Sequence, residues 1–402
     1  MNEEILKDLI VKNNTKIVLV VMDGLGGLPQ EEGGLSELGS ANTPNLDKLA
    51  FKSTCGLMYP IAPGITPGSG PAHLSLFGYD PIKYNIGRGV LSALGINFDV
   101  RKGDLCARIN FATIDKEGKI TDRRAGRIST EKNRELCKKL KENIKIPEGL
   151  EFFIETEKEH RACLVLRGKD LSERIADTDP QHEGMKPLDP RAEEEGARRT
   201  AEILKNIVEQ VKEILRGEEK ANMVLLRGFA QFHLYPTIEE RFGLKAFAIA
   251  SYPMYRGLAK LVGMELAPQT QTEEEEIEML KENFSKYDYF FIHFKKTDSY
   301  GEDGNFEEKK KVIEKVDKLM PRIMDLKPDV LIVTCDHSTP ARLKSHSWHP
   351  IPAMLFSKYV REDKIKKFDE FNCRQGSLSG LQSVELMPLA LANALRLNKF
   401  GA

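Results

Sequence analysis

Three separate stretches of this chain end the same way. A short apolar run rich in β-branched or aromatic residues stops, and an aspartate follows. Residues 16–22 (KIVLVVM) run into Asp23-Gly24, residues 289–294 (YFFIHF) into Lys295-Lys296-Thr297-Asp298, and residues 330–333 (VLIV) into Thr334-Cys335-Asp336-His337. Runs of this length, bounded by polar and turn residues, read as strands buried on both faces of a mostly parallel sheet flanked by helices, an α/β fold. In such a sheet ligands sit just beyond the carboxyl ends of the strands. Three carboxylates gathered there repel one another unless a cation neutralises them, so the pattern predicts a metal-binding edge. Each aspartate alone also fits an ordinary turn. The Asp336-His337 pair adds the oxygen and imidazole donors a divalent metal takes, and His346 and His349 follow within loop reach.

With 402 residues the chain exceeds one ordinary domain and can build two cores. Its net charge of −1 suggests neither nucleic acid nor an acidic membrane as a partner. No apolar run approaches the roughly 20 residues of a membrane span, and the start, MNEEILKDLIVKN, does not read as a signal peptide. Six cysteines without CxxC spacing point to reduced thiols in a cytoplasmic protein.

After Asp23 comes a glycine-rich loop over residues 24–34, and Thr43-Pro44 opens a helix through Leu46, Leu49 and Ala50. Residues 63–81 (PGITPGSGPAHLSLFGYDP) place Ser69 between Gly68 and Gly70, with Pro71 and a helical run behind it. A hydroxyl at or just before a helix N-terminus, left uncovered by its neighbours, is a candidate nucleophile activated by a metal and the helix dipole. A plain capping serine has the same local sequence. His73, one turn on, reads as packed or as a support for the ligands. Arg88, between Gly87 and Gly89, suits close approach to an anion, as would a turn.

From Leu105 the pattern turns to alternating, charge-rich strands with a hairpin turn at residues 115–118, a helix near 130–144, strands near 152–154 and 162–166, a long helix over 190–215 and a strand over 223–226 closed by Arg227-Gly228. This reads as a smaller, antiparallel α+β domain inserted at residues 105–238 in a core made of residues 1–104 and 239–402. Arg123, Arg124 and Arg127 are candidates for a phosphate or carboxylate clamp, or a solvated face. The core resumes with a strand at 245–250, a helix ending at Gly263, and a helix over 305–326 whose apolar stripe (Val312, Ile313, Val316, Leu319, Met320, Ile323) makes it the crossover between parallel strands.

The ordered set MDGLGG, TPNLDKLA, PGSGPAHLSLFGYDP, GRG, YPMYRGLAKLVGM, TCDHSTP and HS-x-x-P-x-P resembles the archaeal-type phosphoglycerate mutases that work without 2,3-bisphosphoglycerate, members of the alkaline phosphatase superfamily. The resemblance runs from about residue 17 to the C-terminus. It implies an alkaline-phosphatase-like core with an inserted domain, two divalent metal ions, and interconversion of 2- and 3-phosphoglycerate in glycolysis and gluconeogenesis through a phosphoserine. Carried over, Ser69 is the nucleophile and shares one metal with Asp23, Asp336 and His337, while Asp298 and His346 hold the other. Substrate phosphate and carboxylate are gripped by basic groups, with Arg227 and Arg256 at positions that match the family's motifs; Arg88, Arg123, Arg127 and Lys295 are further candidates for the same grip. An oligomer is compatible with the resemblance.

Two positions depart from the family pattern. Where the family usually has G-H-D-G, this chain has Gly301-Glu302-Asp303-Gly304, so Glu302 replaces an imidazole ligand by an oxygen. That favours Mn²⁺ or Mg²⁺ over Co²⁺ or Zn²⁺. Where the family often has Asp before the first Pro of HS-x-x-P, this chain has His349, which is expected to supply the missing imidazole. The competing readings are a phosphomonoesterase or other phosphomutase of the superfamily, and a phosphometabolite-binding protein without turnover.

Overall fold

The computed structural model describes residues 3–84 and 86–401. Its chain separates into two compact units, Met1–Asn85 with Tyr235–Ala402, and Ile86–Leu234. In chain order the first unit contributes β1 (Ile17–Met22) and β2 (Thr54–Met58). The second contributes β3 (Leu105–Ile114), β4 (Ile120–Asp122), β5 (Glu151–Lys158), β6 (Arg161–Arg167), β7 (Ile175–Ala176), β8 (Arg191–Ala192) and β9 (Met223–Gln231). The chain then returns to the first unit with β10 (Ala246–Ala250), β11 (Glu265–Leu266), β12 (Tyr289–Phe294), β13 (Val330–Thr334) and β14 (Ile351–Ser357).

The first unit holds a seven-stranded sheet in the order β11-β10-β12-β1-β13-β14-β2. Neighbours from β11 to β13 are parallel, and β14 runs antiparallel to both β13 and β2. Every residue of β1, β10, β12 and β13 is buried, as expected for strands covered on both faces. Helix Phe306–Met324 carries the chain from β12 to β13 across β1, burying the apolar stripe read from its sequence. The fold class is α/β with a mostly parallel sheet. No helix among the described residues is long and apolar enough to cross a membrane.

The second unit is an antiparallel sheet, β4-β3-β6-β5, with β9 on the other side of β3. Inward residues of β3 (Leu105, Ala107, Ile109, Phe111) share a core with Leu136 and Leu140 of helix Thr130–Asn143 and Leu204, Ile207 and Val211 of helix Arg198–Ile214. Three details differ from the sequence reading. Residues 86–104 belong to this unit, because Gly89 lets helix Arg88–Gly95 lie directly against the backbone of β3 at Cys106. The helix expected over 190–215 begins only at Arg198, since Arg191-Ala192 pairs with Ile175-Ala176 and the acidic stretch before Ala197 has no apolar face to bury. Arg227-Gly228 lies inside β9 rather than after it, at a bulge where Gly228 takes φ +61°.

A Cβ on Gly89 would stand 2.3 Å from the Cys106 carbonyl oxygen, whereas nothing lies within contact of one on Gly217. Gly89→Ala is expected to destabilise the protein by about 2 kcal/mol through overpacking, and Gly217→Ala to leave it unchanged, as read by chemical unfolding.

Candidate active site

The register of the sheet brings the three aspartates together. β1 lies between β12 and β13, with Met22 opposite Phe294 and Val21 opposite Thr334, so the segments that follow leave the sheet at one height. Asp23 comes directly after β1, Asp336 two residues after β13, and Asp298 on the first turn of helix Lys296–Asp303 after β12. All three are buried. Gly24 sits at φ +63°, and a Cβ there would lie 2.6 Å from Thr339 Oγ1 and 2.9 Å from Asp298 Cβ. Both backbone conformation and space therefore require glycine after Asp23. The Gly24 N–H donates to Asp336 Oδ1 at 3.1 Å.

One group converges on the Nε2 atom of His337: Asp336 Oδ2 at 3.1 Å, Ser69 Oγ at 3.2 Å and Asp23 Oδ1 at 3.4 Å. Asp23 Oδ1 and Asp336 Oδ2 are buried and accept no hydrogen bond, the condition of oxygens that serve a cation. The Thr339 hydroxyl donates to Asp298 Oδ1 at 2.7 Å, so it accepts from His337 Nδ1, 2.9 Å away. That places a proton on Nδ1 and, in the neutral ring, leaves the Nε2 lone pair facing the carboxylates and the serine. Burial opposes charge on this ring, but Asp336, Asp23 and Asp298 outweigh it and His337 is pushed up to about 9. Burial likewise opposes charge on Asp336, and His337 and His73 hold its carboxyl far below the usual range. Ser69 is the first residue of helix Ser69–Leu76, half-buried behind Gly68, and its hydroxyl faces this group.

A second group, Asp298, His337 and His346, lies beside the first. His346 donates from Nδ1 to the Pro67 carbonyl at 3.0 Å, so Nε2 points to Asp298 Oδ1 at 3.7 Å. Its ring stacks on His337 with centroids 3.6 Å apart. Glu302 is exposed at the rim, its Oε1 3.9 Å from His346 Nε2. His349 belongs to neither group. Its Nδ1 lies 3.0 Å from Ser347 Oγ and its ring stacks on Trp348, so the imidazole expected from it stands apart from both groups.

Lys295 sits among the ligands: its Nζ is 3.0 Å from Asp23 Oδ2 and also pairs with Asp298. Burial disfavours the ammonium, but the two carboxylates outweigh it and hold the lysine charged well above its ordinary range. His73 stands behind Asp336, with Nδ1 donating to the Ser69 carbonyl at 2.9 Å and 3.3 Å from Asp336 Oδ2. Burial pushes it down to about 4, so it is a neutral support outside both ligand groups. Arg256 donates twice to backbone, to Ala250 and Ala267 carbonyls at 3.1 and 2.9 Å, tying the ends of β10 and β11.

In the second unit, Arg123 grips Asp179 with two bonds of 3.0 and 2.7 Å, and Arg227 Nη1 reaches the same carboxylate at 3.3 Å. Arg88 and Arg127 are exposed. Asp179 was not singled out in the sequence, although DTDP in an otherwise polar loop contains it. Also unforeseen were Tyr255, whose hydroxyl donates to Asp23 Oδ2, and His293, whose Nε2 is 3.3 Å from the same oxygen and whose ring lies 3.8 Å from that of Tyr255. An imidazole inside the apolar run YFFIHF was the available signal for His293.

Oxygen and imidazole donors around a serine hydroxyl, at the carboxyl edge of an α/β sheet, suit metal-assisted transfer to and from that hydroxyl. Comparison with known proteins narrows the class. The 2,3-bisphosphoglycerate-independent phosphoglycerate mutase family matches residues 50–221. A protein of Thermus thermophilus described as a probable 2,3-bisphosphoglycerate-independent phosphoglycerate mutase is 50% identical over 401 residues, 99% of each chain. One of the same description from Aquifex aeolicus is 51% identical over 407 residues, covering 99% of this chain and 100% of its own. The solved cofactor-independent phosphoglycerate mutase of Thermoplasma acidophilum superposes with a TM-score of 0.71 at 30% identity, over 94% of this chain and all of its own. A Pyrococcus horikoshii structure gives 0.82 at 28% identity, over 97% and 100%. The chain belongs to the 2,3-bisphosphoglycerate-independent phosphoglycerate mutase family.

Asp336→Asn is expected to weaken divalent-cation binding by at least the roughly 10–100-fold seen for outer-shell partners of metal ligands. Asp170→Asn, at an exposed loop position, is expected to leave it unchanged. Titration calorimetry of metal-stripped protein checks both.

Proposed function

We propose that this chain interconverts 2-phosphoglycerate and 3-phosphoglycerate without 2,3-bisphosphoglycerate, with Ser69 carrying the phosphoryl group between the two hydroxyls. Family membership supports the reaction. The reading of Ser69 is carried by one observation: its Oγ lies 3.2 Å from His337 Nε2, beside two buried carboxylate oxygens that accept no hydrogen bond. Asp23, Ser69, Asp336 and His337 are assigned to one divalent cation and Asp298, His346 and Glu302 to the other. Bound there, the cations supply neutralisation of phosphoryl oxygens and a lowered pKa for the serine hydroxyl.

The chain's own groups do the rest. Ser69 Oγ gives up its proton and forms a bond to phosphorus as the ester oxygen of the substrate leaves and takes up a proton, giving phosphoserine and glycerate. Return to the other hydroxyl reverses the bonding and restores Ser69. The N-terminus of helix Ser69–Leu76 favours the phosphoryl charge. Lys295, charged and fixed between Asp23 and Asp298, stands within the group as a cation for substrate oxygens. Arg256 and, on the second unit, Arg88, Arg123, Arg127 and Arg227 are the guanidinium groups assigned to substrate phosphate and carboxylate. Holding glycerate away from water during its turn keeps a mutase from acting as a phosphatase. The oxygen donor of Glu302 favours Mn²⁺ or Mg²⁺.

The test is conversion of 3-phosphoglycerate by metal-stripped protein with Mn²⁺, Mg²⁺, Co²⁺ or Zn²⁺ added back and no bisphosphoglycerate present. Metal-restored formation of 2-phosphoglycerate is expected, with Mn²⁺ or Mg²⁺ ahead of Zn²⁺. Release of free phosphate instead would make the chain a phosphomonoesterase. Ser69→Ala is expected to abolish transfer while cation binding stays within a few-fold, and appreciable mutase activity in that variant would refute the role given to Ser69.

A further inference from the structure

Helix Phe306–Met324 buries an apolar stripe, yet the residue that continues this stripe toward the N-terminus is a lysine. Lys309 is fully buried, and so is its nearest carboxylate, Glu37, at 3.7 Å. A buried ion pair contributes little to stability compared with an apolar pair of the same shape. What distinguishes this pair is where its hydrogen bonds go. The Lys309 ammonium donates to the Gly26 carbonyl at 3.1 Å and the Thr339 carbonyl at 2.8 Å. Glu37 accepts from the Leu28 N–H at 3.2 Å and the Ala341 N–H at 2.7 Å. Each partner therefore spans the same two loops, residues 24–28 after β1 and residues 336–341 after β13. The cation takes a carbonyl from each loop and the anion takes an N–H from each.

These loops begin with Asp23 and with Asp336-His337. They also touch directly, since the Thr339 N–H is 3.2 Å from the Gly24 carbonyl and 3.0 Å from that of Gly26. The Thr339 hydroxyl joins His337 Nδ1 to Asp298 Oδ1, one member of each ligand group. The residue whose carbonyl Lys309 holds is thus the residue that orients His337. Glu370 adds a further anchor by accepting from the Gly27 N–H at 2.7 Å.

We propose that Lys309 and Glu37 are positioning residues for the metal centre: together they cross-brace the two ligand-bearing loops and, through Thr339, fix the ring of His337. Neither touches the reacting atoms. The inference rests on the metal-centre reading of Asp23, Asp336 and His337.

Lys309→Met removes both bonds to carbonyl oxygens while filling similar space. Glu37→Gln, nearly isosteric, removes one acceptor at smaller cost to folding. Three quantities are measured for each: the unfolding temperature of the metal-stripped protein, Mn²⁺ affinity by calorimetry, and kcat and KM for 3-phosphoglycerate. Lys309→Met is expected to weaken Mn²⁺ binding at least tenfold, by analogy with the outer-shell partners of metal ligands, and Glu37→Gln severalfold. In both, kcat should fall at saturating Mn²⁺ while KM stays within about twofold of wild type at a temperature where the variant is folded. Mn²⁺ affinity and kcat within twofold of wild type in either folded variant would overturn the inference, leaving the pair a packing feature. No Mn²⁺ binding by wild-type protein would overturn the metal-centre reading and this inference with it, so the two failures are told apart by the wild-type titration.

Discussion

The mutual repulsion of Asp23, Asp298 and Asp336 governs this structure. Three carboxylates are taken out of water at the edge of a sheet whose strands there are wholly buried, so solvent does not screen them from one another. Parallel pairing makes the encounter unavoidable, because β12, β1 and β13 are neighbours in register and all deliver their aspartates on the same side. The surrounding residues are intelligible as responses to that charge. Lys295 lies between two of the carboxylates, His337 Nε2 stands within 3.4 Å of Asp23 and Asp336, and Tyr255 and His293 close over one oxygen of Asp23. The oxygens that remain without a hydrogen bond, Asp23 Oδ1 and Asp336 Oδ2, both lie near His337 Nε2, the atom that Ser69 Oγ also approaches.

The second unit follows a different logic. Its antiparallel sheet keeps one face for a helix-covered apolar core, and β3 directs Cys106, Arg108 and Asn110 to the other. Arg123 and Arg227 are distant in sequence but converge on Asp179, whose carboxyl is opposed by burial yet held low by Arg123 and its other partners. A carboxylate shared by two guanidinium groups fixes their planes, and fixed planes are what recognition of phosphate or carboxylate requires.

What was legible in the sequence follows the range of the physics involved. Apolar runs ending in Asp, an Asp-His pair and a serine between glycines are local patterns, and they pointed to the sheet, to the three aspartates that gather at its edge and to the hydroxyl near them. The supports were not legible, because their partners come from remote segments. Nothing near Glu37 announces Lys309, and nothing near Tyr255 announces Asp23. Thr339 reads as one more polar loop residue until its hydroxyl is seen between His337 and Asp298. The expectation for His349 failed for a related reason. Sequence proximity put it within reach of the centre, but after Ser347 pairs with Ser338 the chain turns its ring onto Trp348 instead. The inserted unit begins near residue 86 rather than 105 because the helix at its start is recognised only by the face it packs on.

Burial also separates Glu302 from the other residues assigned to the cations. Asp23, Asp298, Asp336 and His337 are each fixed by several partners inside the protein, so changing any of them leaves a neighbour unpaired out of reach of water. Glu302 is exposed, with its Oε1 3.9 Å from His346 Nε2. A change of side chain there leaves no buried partner of this kind unpaired. The proposed centre thus has a buried half, built into the sheet edge with Lys309 and Glu37 behind its loops, and an exposed rim. On the proposed assignment of ligands, a substitution at the rim acts on which cation is preferred, whereas one in the buried half acts on whether the donors converge.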